Sequence, residues 1–387
     1  MPNVKIRAGP AVAALCFILL LTALPATAGE PPCQAVCRLQ RALHRLVADP
    51  QGPPGAIAIV QNGSRRDVVT AGVSNVATGA PMRPRMHMRI ASTAKAYSGA
   101  VALSLVDRGI LSLLDTVGDL LPWAPRDWRP VTLAEALQHT SGLPDFSTDP
   151  QFIHHLLRHP RNAVPPRRLL AFVADQPLLF KPGTNYHYSN SDNIVVGLMV
   201  EAATGHSYER ELARLVTRPL GLEGTTLPRG PRMPTPFIHG YDRQANGQLE
   251  DVSELFAAGY AWASGGIVST PANQNRFIRA YVGGTLFGGN ARAAQFHFVP
   301  GNSEPPGPGR NAAGLGLFRY GTRCGTMFGH TGNTPGYTQF FAASRNGLRS
   351  VVVSINLQAT PTISPDVFRS LRHLYLLAVC AANQAMP

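Results

Sequence analysis

Lysine is nearly missing from this chain of 387 residues, which has three lysines against 32 arginines. Acidic residues are also scarce, and the formal net charge is +13. The arginines are scattered, and no basic run has interleaved aromatic residues, which speaks against a nucleic-acid partner. The charge fits long-range attraction to anionic cell-wall polymers, and it fits equally well a coding bias towards arginine.

Long apolar runs are missing too, since residues 11–24 are shorter than the roughly 20 residues of a transmembrane helix. This run follows Lys5 and Arg7 and precedes the small residues 26–28, which is the pattern of an export signal. No cysteine follows closely enough to carry a lipid anchor. Residues 1–28 are therefore predicted to be a signal peptide, and the mature protein is predicted to be secreted, with no membrane segment.

Cysteine is sparse, and four cysteines remain after the predicted cleavage: Cys33, Cys37, Cys324 and Cys380. An even number in an exported chain allows three pairings. Cys33 and Cys37 could pair with each other, although four residues apart on a helix is an awkward geometry for a disulfide. The spacing of the cysteines is not that of a zinc site, and no metal is predicted.

Two familiar hydrolase signatures are absent. His155 and His159 have the spacing of a zinc-peptidase helix, but Leu156 stands where the H-E-x-x-H motif needs glutamate. No serine lies in a G-x-S-x-G nucleophile elbow. A catalytic group must therefore be sought in other motifs, including those that contain one of the few lysines.

Turn sequences divide the chain into β-rich ends and a helical middle. Asn62-Gly63 and Asn346-Gly347 each separate two strand-like segments and predict β-hairpins. A capping box at Thr132 predicts a helix that stops near Gly142. Further helices are predicted over 193–203 and from Ser364-Pro365 onward.

A lone hairpin is marginally stable, so both hairpins are expected in one antiparallel sheet that contains both chain ends. The predicted fold is α/β and two-lobed, with helices flanking this sheet and a mainly helical inserted lobe. The α/β lobe is assigned to residues 29–85 and 258–387, and the helical lobe to residues 86–257. A chain this long exceeds the usual limit of roughly 250–300 residues for one core.

Ser92 and Lys95 form the most informative motif. Positions i and i+3 lie on one face of a helix, so the hydroxyl and the amine are expected to meet. A desolvated amine can lose its proton, whereas a guanidinium cannot, which gives lysine a role that arginine could not take. At a helix start, the backbone N–H of Ser92 could also stabilise an oxyanion. Alone, the motif also fits a serine cap with an exposed lysine.

Two more motifs follow in the order that serine acyl transfer needs. Tyr188 could exchange protons with Ser92 if Lys95 lowers its pKa, and Asn190 could hold a substrate carbonyl or orient the lysine. His330-Thr331-Gly332 is predicted on a strand edge, where Gly332 allows close approach and the Asn333 N–H is a second oxyanion donor. Each motif alone also fits an ordinary loop or strand end, and only together do they indicate an enzyme.

These motifs resemble the penicillin-recognising serine hydrolases, namely class C β-lactamases, D-alanyl-D-alanine carboxypeptidases and related esterases. The resemblance includes Ser92-x-x-Lys95, the stretch 139–145 (HTSGLPD), Tyr188-Ser189-Asn190 and Gly329-His330-Thr331-Gly332. It implies the serine β-lactamase/DD-peptidase-like fold. It also implies Ser92 as nucleophile, Lys95 and Tyr188 sharing the acid–base work, and no cofactor.

The third motif distinguishes members of this family. Class C β-lactamases carry Lys-Thr-Gly there, and His330-Thr331-Gly332 is similar to the secreted actinomycete-type D-alanyl-D-alanine carboxypeptidases. Cys324 and Cys380 resemble the cysteine pair of that group, which implies a disulfide. Asn273 departs from the aspartate often found at its position.

The sequence therefore predicts a D-alanyl-D-alanine carboxypeptidase acting on peptidoglycan-type peptides. A related esterase, D-amino-acid amidase or weak β-lactamase is the alternative, and an inactive protein that binds wall fragments is the non-enzyme alternative. A carboxypeptidase must hold a free carboxylate, for which Thr331, Arg319 and a protonated His330 are the candidates. The expected partners are a small peptide, β-lactam or ester and an anionic wall polymer.

Overall fold

The structure is a computed structural model that describes residues 32–384, with side chains from residue 34 onward. The predicted signal peptide, residues 1–28, and the side chain of Cys33 lie outside the described residues. Export and a Cys33–Cys37 bridge therefore stay predictions. Between residues 32 and 384, no helix is long and apolar enough to cross a membrane.

Strands are concentrated towards both ends of the described chain, inside the terminal helices. The strands are β1 (Gly55–Asn62), β2 (Arg65–Asn75), β3 (Ala80–Pro81), β4 (Met88–Arg89), β5 (Tyr241–Arg243), β6 (Leu249–Asp251), β7 (Val268–Ser269), β8 (Val299–Pro300), β9 (Arg310–Gly314), β10 (Leu317–Thr322), β11 (Gly325–Thr334), β12 (Tyr337–Ala343) and β13 (Arg349–Ile355).

Helices fill the middle and close both ends. The α-helices are α1 (Pro32–Ala48), α2 (Ala94–Asp107), α3 (Val117–Leu120), α4 (Leu133–Gln138), α5 (Pro150–Arg158), α6 (Pro166–Ala171), α7 (Asn190–Thr204), α8 (Tyr208–Leu212), α9 (Trp262–Gly265), α10 (Pro271–Gly283), α11 (Gly289–Gln295) and α12 (Pro365–Asn383).

One large antiparallel sheet contains both predicted hairpins. Its strand order is β3-β2-β1-β13-β12-β11-β10-β9-β8. The first hairpin turns at Gly63 and the second at Gly347, with φ angles of 58° and 69° that suit glycine. The hairpins meet where β1 pairs with β13, from Ala56 opposite Ile355 to Asn62 opposite Arg349. The expectation that both chain ends share one sheet is confirmed.

Helices cover both faces of this sheet. Side chains alternate along a strand, so Ala58 of β1 packs in one cluster with α1 and α12 while Ile59 packs with α2 and α10 on the other face. Leu43 of α1 and Leu371 of α12 are fully buried in the first cluster. Burial on both faces explains why β1 is apolar at consecutive positions.

Local signals located the helices well, with one error in length. The capping box of Thr132 and Glu135 opens α4 as predicted, but α4 ends at Gln138, four residues before Gly142. His139 adopts the left-handed conformation there, with a φ of 61°. Glycine is the residue that most often takes the left-handed conformation at the end of a helix, and tertiary contacts of His139 override that preference.

A small sheet joins a segment at the start of the predicted helical lobe to a segment that follows this lobe. β4 pairs with β7, which sets Met88 opposite Ser269 and Arg89 opposite Val268. The same pairing places the segment that leads into Ser92 beside the segment before α10. The lobe boundaries at 86 and 258 stay predictions.

Candidate active site

Ser92 lies in the tight turn that opens α2. Residues Ala91–Thr93 form a 3-10 turn that runs directly into the helix. Ala91 has a φ of 50°, a left-handed conformation that is costly for a residue with a Cβ. Strain of this kind is concentrated at functional sites. The helix start follows the prediction, whereas the left-handed alanine has no sequence signal, because alanine rarely adopts this conformation.

Lys95, one turn into α2, is buried with its amine fully engaged. Its Nζ donates to Ser92 Oγ at 3.2 Å, to Asn190 Oδ1 at 2.7 Å and to the backbone oxygen of Ser264 at 2.8 Å. Only 1% of the residue is exposed. The predicted contact between Ser92 and Lys95 is therefore formed, and Asn190 is the amide that orients the lysine.

Burial changes the protonation of this amine. Loss of hydration lowers the pKa of Lys95 from 10.5 to about 7, although Asp145, Asp192 and Glu304 each act in the opposite direction. The charged form is disfavoured because the protein interior replaces water around it. Near neutral pH, a substantial fraction of Lys95 is therefore a free amine able to accept the proton of Ser92.

Tyr188 lies beside the same amine, with its ring centroid 4.9 Å from Lys95 Nζ. Its buried hydroxyl has no hydrogen-bond partner at ordinary geometry among the described residues. Burial raises the pKa of Tyr188 well above its usual value, and the nearby Ser92 side chain opposes this shift without offsetting it. The low pKa that the sequence led us to expect for this phenol is therefore not found, because dehydration of the phenolate dominates.

Asn190 connects the lysine to the helical part of the molecule. Its Nδ2 donates to Asp145 Oδ2 at 3.0 Å and to Ser147 Oγ at 2.9 Å. These two bonds fix the orientation of the amide, so its oxygen faces Lys95. Ser147 was not singled out from the sequence, and its distance of 43 residues along the chain from Asn190 hides the contact.

Gly332 of β11 packs directly against the Ser92 turn. A Cβ on Gly332 would lie 2.8 Å from the Ser92 nitrogen and 2.9 Å from the Ile90 oxygen. Asn333, the next residue, lines the same cavity as Ser92. The structure thus brings together the two residues whose N–H groups were predicted as oxyanion donors. From residue 330 onward, β11 pairs with β12 alone among the described strands.

The three groups proposed to hold a substrate carboxylate do not line this cavity. The Thr331 hydroxyl is buried and donates to the Pro305 oxygen. Arg319 is exposed on β10, with its guanidinium 5.2 Å from the ring of Phe298. Burial lowers the pKa of His330 well below its ordinary value, so this histidine is neutral and supplies no charge. None of the three side chains is therefore found in the wall of the cavity.

A second buried histidine lies behind the site. His139 Nδ1 is 2.7 Å from Asp192 Oδ2, and the Ser141 hydroxyl donates to the same carboxyl group. Burial, reinforced by the charge of Lys95, lowers the pKa of His139 to about 3, so the imidazole is neutral. The ring of His139 lies 4.4 Å from that of Tyr188, centroid to centroid. The 139–145 motif thus supports the position of the tyrosine.

The cavity at Ser92 has a volume of about 390 Å³. Much of its wall is apolar: Phe146, Phe152, Leu156, Val252, Phe256 and Tyr260. Two charged residues also line it, Arg89 and Glu304. Glu304 retains exposed surface, and partial burial together with the charge of Asp145 raises its pKa. Neither charged residue was predicted, because no sequence spacing relates Glu304 to Ser92.

Arg89 is largely buried in the cavity wall and has no carboxylate partner among the described residues. Its Nε donates to the Ser253 oxygen at 3.1 Å, and its Nη2 donates to the oxygens of Pro231 and Phe256 at 2.9 and 2.8 Å. Backbone carbonyls thus hold the guanidinium in place. In residues 32–384, no cluster of histidine, cysteine, aspartate or glutamate is suited to hold a metal ion.

Comparison with known proteins adds independent findings. A family model described as Beta-lactamase matches residues 39–374. Penicillin-binding protein 4 of Amycolatopsis lactamdurans is 31% identical over 182 residues, which are 46% of this chain and 45% of that protein. Protein flp of Staphylococcus aureus (strain MW2) is 27% identical over 178 residues, or 45% of this chain and 34% of that protein. The chain spans less than half the length of these curated relatives.

Solved structures match over nearly the whole fold. A D-stereospecific amidohydrolase from Streptomyces sp. is 28% identical, with a TM-score of 0.76 over 87% of this chain and 98% of that chain. D-amino acid amidase from Ochrobactrum anthropi SV3, complexed with L-phenylalanine amide, is 21% identical, with a TM-score of 0.77 over 89% of this chain and 98% of that chain. The predicted fold class is confirmed.

Proposed function

This chain belongs to the Beta-lactamase family of serine hydrolases, and we propose that it works through an acyl-enzyme formed on Ser92. The observation that carries this proposal is the hydrogen bond from the buried Lys95 amine to Ser92 Oγ, at 3.2 Å. With a pKa of about 7, this amine can serve as a base at neutral pH.

In acylation, Lys95 acts as the base and Tyr188 as the acid. The neutral amine of Lys95 takes the proton of Ser92 while Oγ bonds to the substrate carbonyl carbon. The backbone N–H groups of Ser92 and Asn333 stabilise the oxyanion. As the bond to the leaving group breaks, Tyr188 gives that group its proton and regains one from Lys95. The raised pKa of Tyr188 keeps its phenol protonated and suits it to this acid role.

Deacylation reverses the roles. Water enters, and Lys95, which is neutral again after its proton has passed to Tyr188, removes a proton from the water as the water oxygen bonds to the acyl carbon. The ester bond to Ser92 breaks, and the serine oxygen recovers a proton. The products are a free carboxylic acid and the unmodified enzyme, so no cofactor is needed for the atoms and charges to balance.

For the substrate class, we propose an amide of a D-amino acid or a short D-peptide with a free amino group. Glu304 places a carboxylate in the cavity wall, where it attracts an ammonium group and repels a free carboxylate. Thr331, Arg319 and His330 do not offset that repulsion, since none of them lines the cavity. The match to a D-stereospecific amidohydrolase over most of both chains supports the same class.

A D-alanyl-D-alanine carboxypeptidase is the second candidate. The observation in its favour is Arg89, a cation in the cavity wall without a carboxylate partner among the described residues. Its Nη1 atom is not used in the bonds to Ser253, Pro231 and Phe256. A carboxylate reaching Arg89 would form a charge-assisted pair.

One set of assays separates these candidates. Hydrolysis is compared for a D-amino-acid amide, a D-Ala-D-Ala peptide and the C-terminal amide of that peptide. We expect the D-amino-acid amide to be preferred, and Glu304→Gln to reduce kcat/KM for it about tenfold while leaving an N-acetylated amide unchanged, because only the free ammonium group pairs with the carboxylate. Preference for the free-acid peptide, abolished by Arg89→Lys, would establish the carboxypeptidase instead.

The acyl-enzyme is tested separately by mass spectrometry after incubation with a reactive penicillin. A covalent adduct on the peptide containing Ser92, absent in Ser92→Ala, is the expected result. Full hydrolytic activity in Ser92→Ala would overturn the mechanism. Fast turnover of the penicillin itself would reassign the protein as a β-lactamase.

We also propose that the protein acts outside the cytoplasm. The export signal predicted for residues 1–28 supports this, and so does the disulfide between Cys324 and Cys380, because such bonds persist in oxidising compartments. N-terminal sequencing of protein recovered from the culture medium should begin near Gly29. Recovery of the chain with its first residues intact from the cytosol alone would contradict export.

A further inference from the structure

A second cleft, which shares no lining residue with the cavity at Ser92, lies between the first hairpin and α10. Its volume is about 610 Å³. Four arginines line it, and they come from separate parts of the chain: Arg66 on β2, Arg85 before β4, and Arg276 and Arg279 on α10. Glu223 is the one acidic residue among its lining residues.

The four arginines of this arginine cleft are not neutralised. None of them takes part in an ion pair among the described residues. Two are held by backbone oxygens instead. Arg276 Nη1 donates to Leu220 and Gly221 at 3.1 and 3.3 Å. Arg279 donates from Nε to Gly347 at 2.9 Å and from Nη2 to Gly63 at 3.3 Å. These bonds position the guanidinium groups and leave their charge uncompensated.

Further polar groups complete the wall. Thr270, which caps the 13-residue helix α10, and Asn273, in the first turn of that helix, line the cleft, so the positive end of the helix dipole faces it. Asn275 Nδ2 donates to Gln61 Oε1 at 2.7 Å, which fixes both amides in the same wall. The concave shape, several donors and an excess of positive charge describe a site for an anion with several oxygen acceptors.

We propose that the arginine cleft binds a phosphate-bearing anion. Planar guanidinium groups match phosphate oxygens in bidentate pairs, and arginine is favoured over lysine for this purpose. Four guanidinium groups from separate parts of the chain offer more donors than one phosphate group needs, which favours a chain of phosphate groups as the ligand. Such a ligand would attach the hydrolase to a phosphate-rich polymer while the Ser92 cavity stays accessible.

The test measures binding of long-chain polyphosphate and of inorganic phosphate by calorimetry at about 0.15 M salt, where weak surface attraction is screened. The variant Arg66→Glu/Arg85→Glu changes two exposed arginines that make no side-chain hydrogen bond in the described structure. Arg126→Glu/Arg310→Glu is the control, because it makes the same change in net charge at exposed positions outside the cleft. Thermal unfolding verifies that both proteins are folded.

We expect polyphosphate to bind the wild type, and the cleft variant to bind it at least tenfold more weakly, while the control stays within about twofold. Competition by inorganic phosphate at similar affinity would identify a single phosphate group as the ligand. Equal weakening in both variants would show attraction by net charge alone and overturn the site. Tighter, cleft-dependent binding of a single-stranded oligonucleotide would overturn the assignment to a polyphosphate chain, in favour of nucleic acid.

Discussion

Gly332 faces Ser92 so closely that a Cβ built on the glycine would lie 2.8 Å from the serine backbone nitrogen. Real Cβ atoms do not approach backbone atoms to this distance. Strand β11 can therefore reach the turn that carries the nucleophile only because residue 332 has no side chain. The backbone of β11 and the N–H of Ser92 form one surface at the cavity.

Gly332→Ala should separate β11 from the Ser92 turn. We expect acylation to fall roughly 100-fold, because a displacement near 1 Å at the reacting atoms has an effect of that size. Gly321→Ala is the matched control, since its added Cβ would meet only the Arg310 oxygen, at 3.7 Å. Burst kinetics with a chromogenic ester measure acylation. Equal, small effects in both variants would show that the close approach has no catalytic consequence.

The pKa of Lys95 predicts the pH dependence of acylation. The base is the neutral amine, so the rate should rise about tenfold per pH unit below pH 7 and level off above it. Lys95→Arg keeps a positive charge that cannot be removed, and it should lower acylation by roughly 10³-fold, as Lys95→Ala does. A flat profile between pH 5 and 8, or near-normal rates in Lys95→Arg, would mean that the amine transfers no proton.

Tyr188→Phe should distinguish substrates by their leaving groups. If Tyr188 protonates the departing nitrogen, amide hydrolysis should fall by roughly 10²–10⁴-fold. A nitrophenyl ester should be affected much less, because its leaving group departs as a stable anion. The ratio of the two effects is the measurement. An equal loss on both substrates would assign Tyr188 to activation of Ser92.

The Cys324–Cys380 disulfide implied by the family resemblance is present, and it links residues 56 positions apart. Replacing both cysteines by serine should reduce the free energy of unfolding by about 4 kcal/mol, because the unfolded chain regains the entropy of an open loop of this length. Denaturant unfolding measures the change. The wild type in reductant should match the variant, and the variant should not respond to reductant.

The fold was predictable where local interactions decide it. Asn-Gly turns fix hairpins, and the capping box of Thr132 and Glu135 fixes a helix start, because each acts within a few residues. The end of α4 was mispredicted because the left-handed His139 is held by Asp192, which is 53 residues away. Contacts at that distance leave no periodic signal in the sequence.

The catalytic candidates were predictable as motifs and the substrate site was not. Ser92, Lys95, Tyr188 and Asn190 are found together at the cavity. Arg319, singled out by its distance along the chain from Cys324, faces solvent instead. Glu304 lines the cavity, because the 301–309 loop passes over it, and no motif includes that residue.

The sequence by itself determined the order of the catalytic side chains, the hairpins and the sheet that unites both chain ends, since turn chemistry and residue spacing act locally. Only the tertiary structure decided the protonation states and the charge of the substrate cavity. The groups that replace water around Lys95 include the backbone oxygen of Ser264, which is 169 positions away along the chain. Burial raises the pKa of Tyr188 instead of lowering it. A pKa depends on what replaces water around a group, and that is set by packing, which spacing along the chain does not encode.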